Sequence, residues 1–98
     1  MGGVYFNKKE YHKAIAFYEN VMHLKPDYVD PYTNNAVSYL SLGRFDSGVY
    51  YLYKAIAIDP TYNRSYEYLA LAYKSNGNSD SAKKYEAIAQ KYNPGFRL

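Results

Sequence analysis

Two histidines, nine carboxylates and no cysteine are the residues from which this 98-residue chain could build a reactive centre. His12 and His23 stand eleven residues apart, which on a helix puts them on one face but about three turns, roughly 16 Å, from each other. A metal ion holds its nitrogen ligands at about 2 Å, so the two are read as solvated outer-face residues that share no ion. The segment Ser75 to Ser81 carries one carboxylate, Asp80, where a calcium loop needs oxygen ligands at alternate positions; it is read as a turn between helices. Without cysteine there is no thiol nucleophile, thiolate metal site or disulfide framework. A phosphate-cradling glycine loop, a zinc-protease helix and a nucleophile elbow are all missing from the sequence. No catalytic, cofactor-binding or metal site is therefore expected, and intrinsic enzyme activity is not predicted.

Charge and hydropathy narrow the partners. Twelve basic residues face nine acidic ones for a net charge of +3, and the only basic doublets, Lys8-Lys9 and Lys83-Lys84, are far apart in the chain. A nucleic-acid surface needs a continuous basic stripe with aromatic residues free to stack on bases, so no nucleic-acid partner is expected. Apolar stretches such as Val49 to Tyr53 are far shorter than the roughly 20 residues of a membrane-spanning helix, so no direct membrane insertion is expected either. Met1-Gly2-Gly3 has the start of a myristoylation motif, but Phe6 stands where Ser or Thr is required. Asn63-Arg64-Ser65 is a formal glycosylation sequon, relevant only in a eukaryotic secretory setting. The compartment stays open, with the cytoplasm favoured. Hydrophobic residues at 48% and fifteen tyrosines suit one small domain built on half-buried aromatic positions.

The elements that would position a functional surface are announced by a period. Pro26, Pro60 and Pro94 stand 34 residues apart, as do Tyr5, Tyr39 and Tyr73. Small residues recur in the same phase at Gly2, Ala36 and Ala70, and at Ala14, Gly48 and Ala82; Val21, Ala55 and Ala89 follow. The chain is thus a stack of similar units. Each period holds two helical patterns with a short polar turn between them. Tyr32, Asn35, Ala36 and Tyr39 define one buried stripe and Tyr66, Leu69, Ala70 and Tyr73 its counterpart. Asp30 is expected as an N-cap with Pro31 as the first helical residue. Leu42-Gly43-Arg44 breaks that helix, its partner runs from about Phe45 to Ile58, and Asp59-Pro60 ends it. In the last period the turn falls at Ser75 to Asn78 and the second helix at about Ser79 to Tyr92.

On these residues the chain resembles a tetratricopeptide-repeat array over nearly its whole length. Repeat two carries the family pattern through Tyr32, Ala36, Tyr39, Gly43, Gly48, Ala55 and Pro60; repeat three through Tyr66, Leu69, Ala70, Tyr73, Gly77, Ala82, Ala89 and Pro94. Gly48 departs from the usual alanine, at about 1 kcal/mol of helix propensity, yet keeps the close approach of paired helices. The resemblance implies an all-α, right-handed helical solenoid of antiparallel helix pairs. The expected division is a truncated repeat one over 1–28, repeat two over 29–62 and a terminal repeat three over 63–98. Tyr11, Ile15, Tyr18 and Met22, then Phe45, Val49, Leu52 and Ile56, give apolar second-helix faces; the last repeat instead has Ser79, Lys83, Glu86 and Gln90. That polar face is expected to be solvent-exposed, as a terminal repeat requires. At the other end, the shortened first helix is expected to uncover Tyr18, Val21 and Met22, an edge through which a homodimer could form.

The resemblance further implies a function, a non-catalytic scaffold that takes a peptide or partner segment in the concave groove of its first helices. Projection puts Phe6 and Asn7 of repeat one in that groove, then Asp30, Thr33, Val37, Leu40 and Ser41 of repeat two with Asn34 on the flank. Repeat three adds Arg64, Glu67, Leu71 and Lys74, with Tyr68 on the flank. Apolar Phe6, Val37, Leu40 and Leu71 either meet ligand or pack between neighbouring first helices, and both readings stay open. In chaperone-adaptor members of the family a clamp of Lys, Asn, Asn, Lys and Arg grips two carboxylates. Here the first Lys position precedes Met1, Gly3 replaces the first Asn and Tyr68 the final Arg, so only Asn34 and Arg64 fit and that clamp is not expected. The alternatives are an accessory array that positions substrates for a larger enzyme, such as a glycosyltransferase, and a self-assembly module.

Overall fold

The computed structural model describes residues 8–98, and those residues form five helices and no strand: α1 (Lys8–Leu24), α2 (Val29–Ser41), α3 (Phe45–Ile58), α4 (Asn63–Ser75) and α5 (Ser79–Gln90). Glycine sets both turns within the helix pairs. Gly43 and Gly77 adopt φ of +78° and +80°, the left-handed conformation in which a side chain is strained. Around each, two reversed hydrogen bonds close the preceding helix: Arg44 N–H to the Tyr39 carbonyl at 2.9 Å and Gly43 N–H to Leu40 at 3.0 Å, then Asn78 N–H to Tyr73 at 2.9 Å and Gly77 N–H to Lys74 at 3.1 Å. This is the Schellman arrangement, which satisfies carbonyls a helix end otherwise leaves open. Asn78 then caps α5, its side-chain oxygen accepting from Ser81 N–H at 3.3 Å.

Helices pack against their chain neighbours, α2 with α3 and α4 with α5 most extensively, and α2 also touches α4. That last contact aligns the first helices of successive units. The core lies where α2, α3 and α4 meet: Ala36, Val49, Leu52, Leu69 and Ala72 are buried together, with Leu40, Phe45, Tyr51, Ile56, Tyr68, Tyr73 and Tyr85 packed around them. Ala36, Ala55, Ala70 and Ala89, all fully buried, let paired backbones approach closely. Gly48 does so most of all, since a Cβ there would sit 2.5 Å from the Leu40 side chain and 3.2 Å from the Ala36 carbonyl oxygen. Tyrosine hydroxyls tie each first helix to the proline turn before it, Tyr32 to the Pro26 carbonyl at 3.0 Å and Tyr66 to the Pro60 carbonyl at 2.8 Å.

Three expectations need correction. Helix α2 begins at Val29 with Tyr28 as N-cap, so Asp30 and Pro31 lie in its first turn, where a missing N–H is still tolerated. The outer face of α5 is not uniformly open. Lys83 is exposed, but Glu86 and Gln90 are half-buried, because the C-terminal tail folds back over them. Leu98 N–H donates to Glu86 Oε2 at 3.1 Å and Gln90 Nε2 donates to the Phe96 carbonyl at 2.8 Å. The tail enters through the turn that precedes α2 and α4, with Phe96 N–H to Asn93 carbonyl at 2.9 Å matching Tyr28 to Lys25 and Tyr62 to Asp59, both at 3.1 Å. On α1, Met22 is buried and Tyr18 and Val21 are half-buried. The exposed large apolar side chains there are Phe17, at 62%, and Leu24, at 70%.

Candidate interaction groove

Positions one period apart are equivalent on α2 and α4: Asp30 and Arg64, Asn34 and Tyr68, Val37 and Leu71, and Ser41 and Ser75. The helix contact brings the apolar members together. Val37, Leu40, Ser41, Tyr68 and Leu71 line one open cavity of about 350 Å3, with Phe45 and Ala72 at its base and Gly43, Ser75 and Asn76 at the turn end. Leu71 is 42% exposed, so an apolar side chain faces the space it would fill. The two open readings therefore separate by residue. Leu40 packs on the core and also reaches the cavity, whereas Leu71 belongs chiefly to the open side.

Two of the projected residues point elsewhere. Thr33 is 1% exposed, its hydroxyl within 3.5 Å of the Val29 carbonyl of its own helix. Glu67, one period later, is half-buried, and its Oε2 accepts from Asn63 Nδ2 and Asn93 Nδ2, both at 3.1 Å. This helix position turns into the seam with the neighbouring second helix and, in the last unit, toward the C-terminal turn. Asn34 is half-buried and its carbonyl accepts from Ser38 Oγ at 3.2 Å. Lys74 is exposed at the end of α4 and does not line the cavity. Phe6 and Asn7 lie outside the described residues.

At the opposite end of the cavity a polar group forms. Arg64 Nη2 donates to the Tyr68 hydroxyl at 2.8 Å, and its guanidinium carbon lies 5.6 Å from the centre of the same ring, a cation–π distance. Tyr62 also adjoins the guanidinium. Among the described residues no carboxylate forms an ion pair with Arg64. Asp30, its counterpart on α2, acts on two tyrosines. Its hydrogen bond and charge raise Tyr28, and together with the larger effect of burial they push Tyr62 up to about 12. Both phenols thus stay protonated and able to donate at neutral pH.

Phe45, Gly43 and Asn76 were missed by projection because a helical wheel shows one helix at a time, Phe45 belonging to α3 and Gly43 and Asn76 to turns; Ala72 and Ser75 lie on α4 itself, beside the projected stripe. A usable signal was present, since Gly43 and Gly77 mark turns one period apart that must flank the same end of the groove. His12 and His23 are both exposed. Among the described residues no three His, Asp or Glu side chains gather as a metal site, and no helix is long and apolar enough to cross a membrane.

Against known proteins, a family model described as tetratricopeptide repeat matches residues 1–28 and 29–62. Similar curated proteins include a TPR repeat-containing thioredoxin, TTL4, of Arabidopsis thaliana, 27% identical over 90% of this chain. They also include Hsp70-Hsp90 organizing protein 3 of Arabidopsis thaliana, at 24% over 98%, and the Hsp70-Hsp90 organizing protein of Triticum aestivum, at 26% over 98%. The chain spans only 13 to 16% of the length of these relatives.

Proposed function

Because this chain belongs to the tetratricopeptide-repeat family, we propose that it is a non-catalytic protein-interaction module, built of units 1–28, 29–62 and 63–98, that takes a partner segment in the groove between α2 and α4. The observation that carries this reading is the open apolar cavity between Val37, Leu40, Tyr68 and Leu71. A bulky side chain entering it would remove apolar surface on both molecules from water, at about 25 cal/mol per Å2. Two of the relatives are named as organizers of Hsp70 and Hsp90, proteins whose partners are themselves proteins, which supports the same class of function. Another relative's name joins TPR repeats to thioredoxin, and an accessory array in a larger enzyme would use the same groove in the same way.

Leu71→Glu is the direct test. The side chain is exposed, so the substitution should move stability by under about 0.5 kcal/mol while placing a charge at the mouth of the cavity. Affinity for a peptide selected from a displayed library on the intact chain should fall at least tenfold, measured by fluorescence anisotropy. An unchanged affinity, or a collapse of the melting transition, would mean that Leu71 packs and the groove is not where the partner sits.

A further inference from the structure

We propose that a second copy of this chain seats on the open face of α1, the two α1 helices pairing antiparallel about a twofold axis at Phe17. The edge expected around Tyr18, Val21 and Met22 thereby moves around the helix to Phe17 and Leu24.

The face is a seat that the other units fill. Glu10, Lys13, Ala14, Phe17 and Tyr18 line an open cavity of about 320 Å3, and Phe17 is 62% exposed. Its counterparts one and two periods later, Tyr51 and Tyr85, are half-buried, because Tyr39 stacks on the first at 5.6 Å and Tyr73 on the second at 5.8 Å. The Leu40 side chain lies against Gly48, the counterpart of Ala14. In both units a glycine turn brings the covering helix back: the chain reverses at Gly43 and Gly77, in the left-handed conformation, and the second helix starts at Phe45 or Ser79. The counterpart of both glycines is Lys9, whose side chain would be strained in that conformation. Helix α1 accordingly starts at Lys8 and runs through the place of the turn. At Lys8 to Glu10 the reversal that would seat a helix of the same chain on this face is not made.

A second copy fits because the face complements itself when reversed. Glu10, Phe17 and Leu24 recur every seven residues and so form one stripe of a helix, with Lys13 and Ala14, then Asn20 and Val21, between them. In an antiparallel pair centred on Phe17 the two rings meet at the axis, where offset or edge-on contact is favourable, and each Leu24 lies by the aliphatic stem of Lys13 of the other copy. Lys25, whose N–H still bonds the Val21 carbonyl at 2.8 Å, then stands opposite Glu10 of the other copy, twice over. A parallel pair would set Glu10 against Glu10 and Lys25 against Lys25, and like charges repel. Twofold symmetry closes the contact, so association stops at the dimer. Two large exposed side chains from each copy make an interface below roughly 1,200 Å2, the size of weak encounters.

Sedimentation of the full chain from about 10 µM to 1 mM should show monomer and dimer in equilibrium, with a dissociation constant on the order of 100 µM. Phe17→Glu should weaken the dimer at least tenfold while keeping the circular dichroism spectrum and melting temperature of the dilute chain, since this side chain is exposed there. Glu10→Lys should weaken it several-fold, and adding Lys25→Glu should restore it. Lys9→Gly should weaken it as well, by allowing the turn that the other units make. Leu71→Glu, on the groove side, should leave the constant unchanged, so that the dimer and the groove stand or fall separately. A chain that stays monomeric at 1 mM, or a dimer indifferent to Phe17→Glu, overturns the inference. Failure of Lys25→Glu to rescue Glu10→Lys overturns the antiparallel register, and a dimer unmoved by Lys9→Gly overturns the part given to the missing turn.

Discussion

Shifted by one period of 34 residues, the seam that α2 and α3 make with α1 becomes the seam that α4 and α5 make with α3, and its ring geometry survives the shift. Tyr39 stacks on Tyr51 with centroids 5.6 Å apart and planes at 3°; Tyr73 stacks on Tyr85 at 5.8 Å and 8°. What changes is the third partner. In the first seam the Tyr39 hydroxyl lies 3.4 Å from Glu19 Oε2. In the second, the residue one period after Glu19 is Tyr53, whose hydroxyl meets those of Tyr73 at 2.9 Å and Tyr85 at 3.0 Å. A repeat therefore fixes shape more strictly than chemistry, and differences between equivalent positions can be read as controlled substitutions.

The second-helix stripe gives the largest contrast. Leu52 is fully buried in the core, while its counterpart Glu86 accepts one hydrogen bond from the folded-back tail. Leu52→Ala should cost about 3 kcal/mol through lost transfer energy and a cavity. Glu86→Ala should cost about 1 kcal/mol or less, the value of one partly exposed hydrogen bond. Urea unfolding of both variants checks the ratio, and near-equal losses would mean that the tail closes the array as firmly as α4 covers α3.

The next contrast is between Asn35 and Leu69, both fully buried. Neither amide atom of Asn35 has a hydrogen-bond partner, and such unpaired burial costs about 1–3 kcal/mol. Asn35→Leu would make the two stripes alike. Relief of that penalty outweighs some overpacking, so a net gain of about 1 kcal/mol is expected in the same unfolding assay. A loss would show that repeat two has no room for the larger side chain at this position.

Much of this was legible in advance, and the misses share a cause. The period located both glycine turns, and the breakers Leu42-Gly43-Arg44 and Asp59-Pro60 placed a helix at about Phe45 to Ile58, where α3 runs. Thr33 and Glu67 were misassigned because they lie one step from the groove stripe on a helical projection, and only the actual tilt of α2 and α4 against their partners decides which side they take. The tail over Glu86 and Gln90 was invisible because its hold comes from backbone groups of Phe96 and Leu98, which carry no residue-type signal. Arg64 was visible as a charge, but its tie to Tyr68 needed the structure, since a four-residue spacing permits the contact without requiring it.

The smallest expected effect lies in the tyrosine seams at alkaline pH. Tyr53 is raised well above 10, chiefly by burial and then by its hydrogen bonds to Tyr73 and Tyr85, which hold the neutral form. Below pH 10 both folded and unfolded chains carry this phenol protonated, so its contribution to stability is complete. Above pH 10 the unfolded chain gives up the proton first, and stability should fall as pH rises. Tyr53→Phe removes that group, so its urea midpoint should start slightly lower at pH 8 but decline less between about pH 10 and 11. In the first seam burial is again the leading cause of the upward shift of Tyr39, with the Glu19 charge second. Glu19→Gln should therefore flatten the decline only partly, and less than Tyr53→Phe does, because the burial of Tyr39 remains. Equal flattening by the two substitutions would place the carboxylate, and not burial, in control of the first seam.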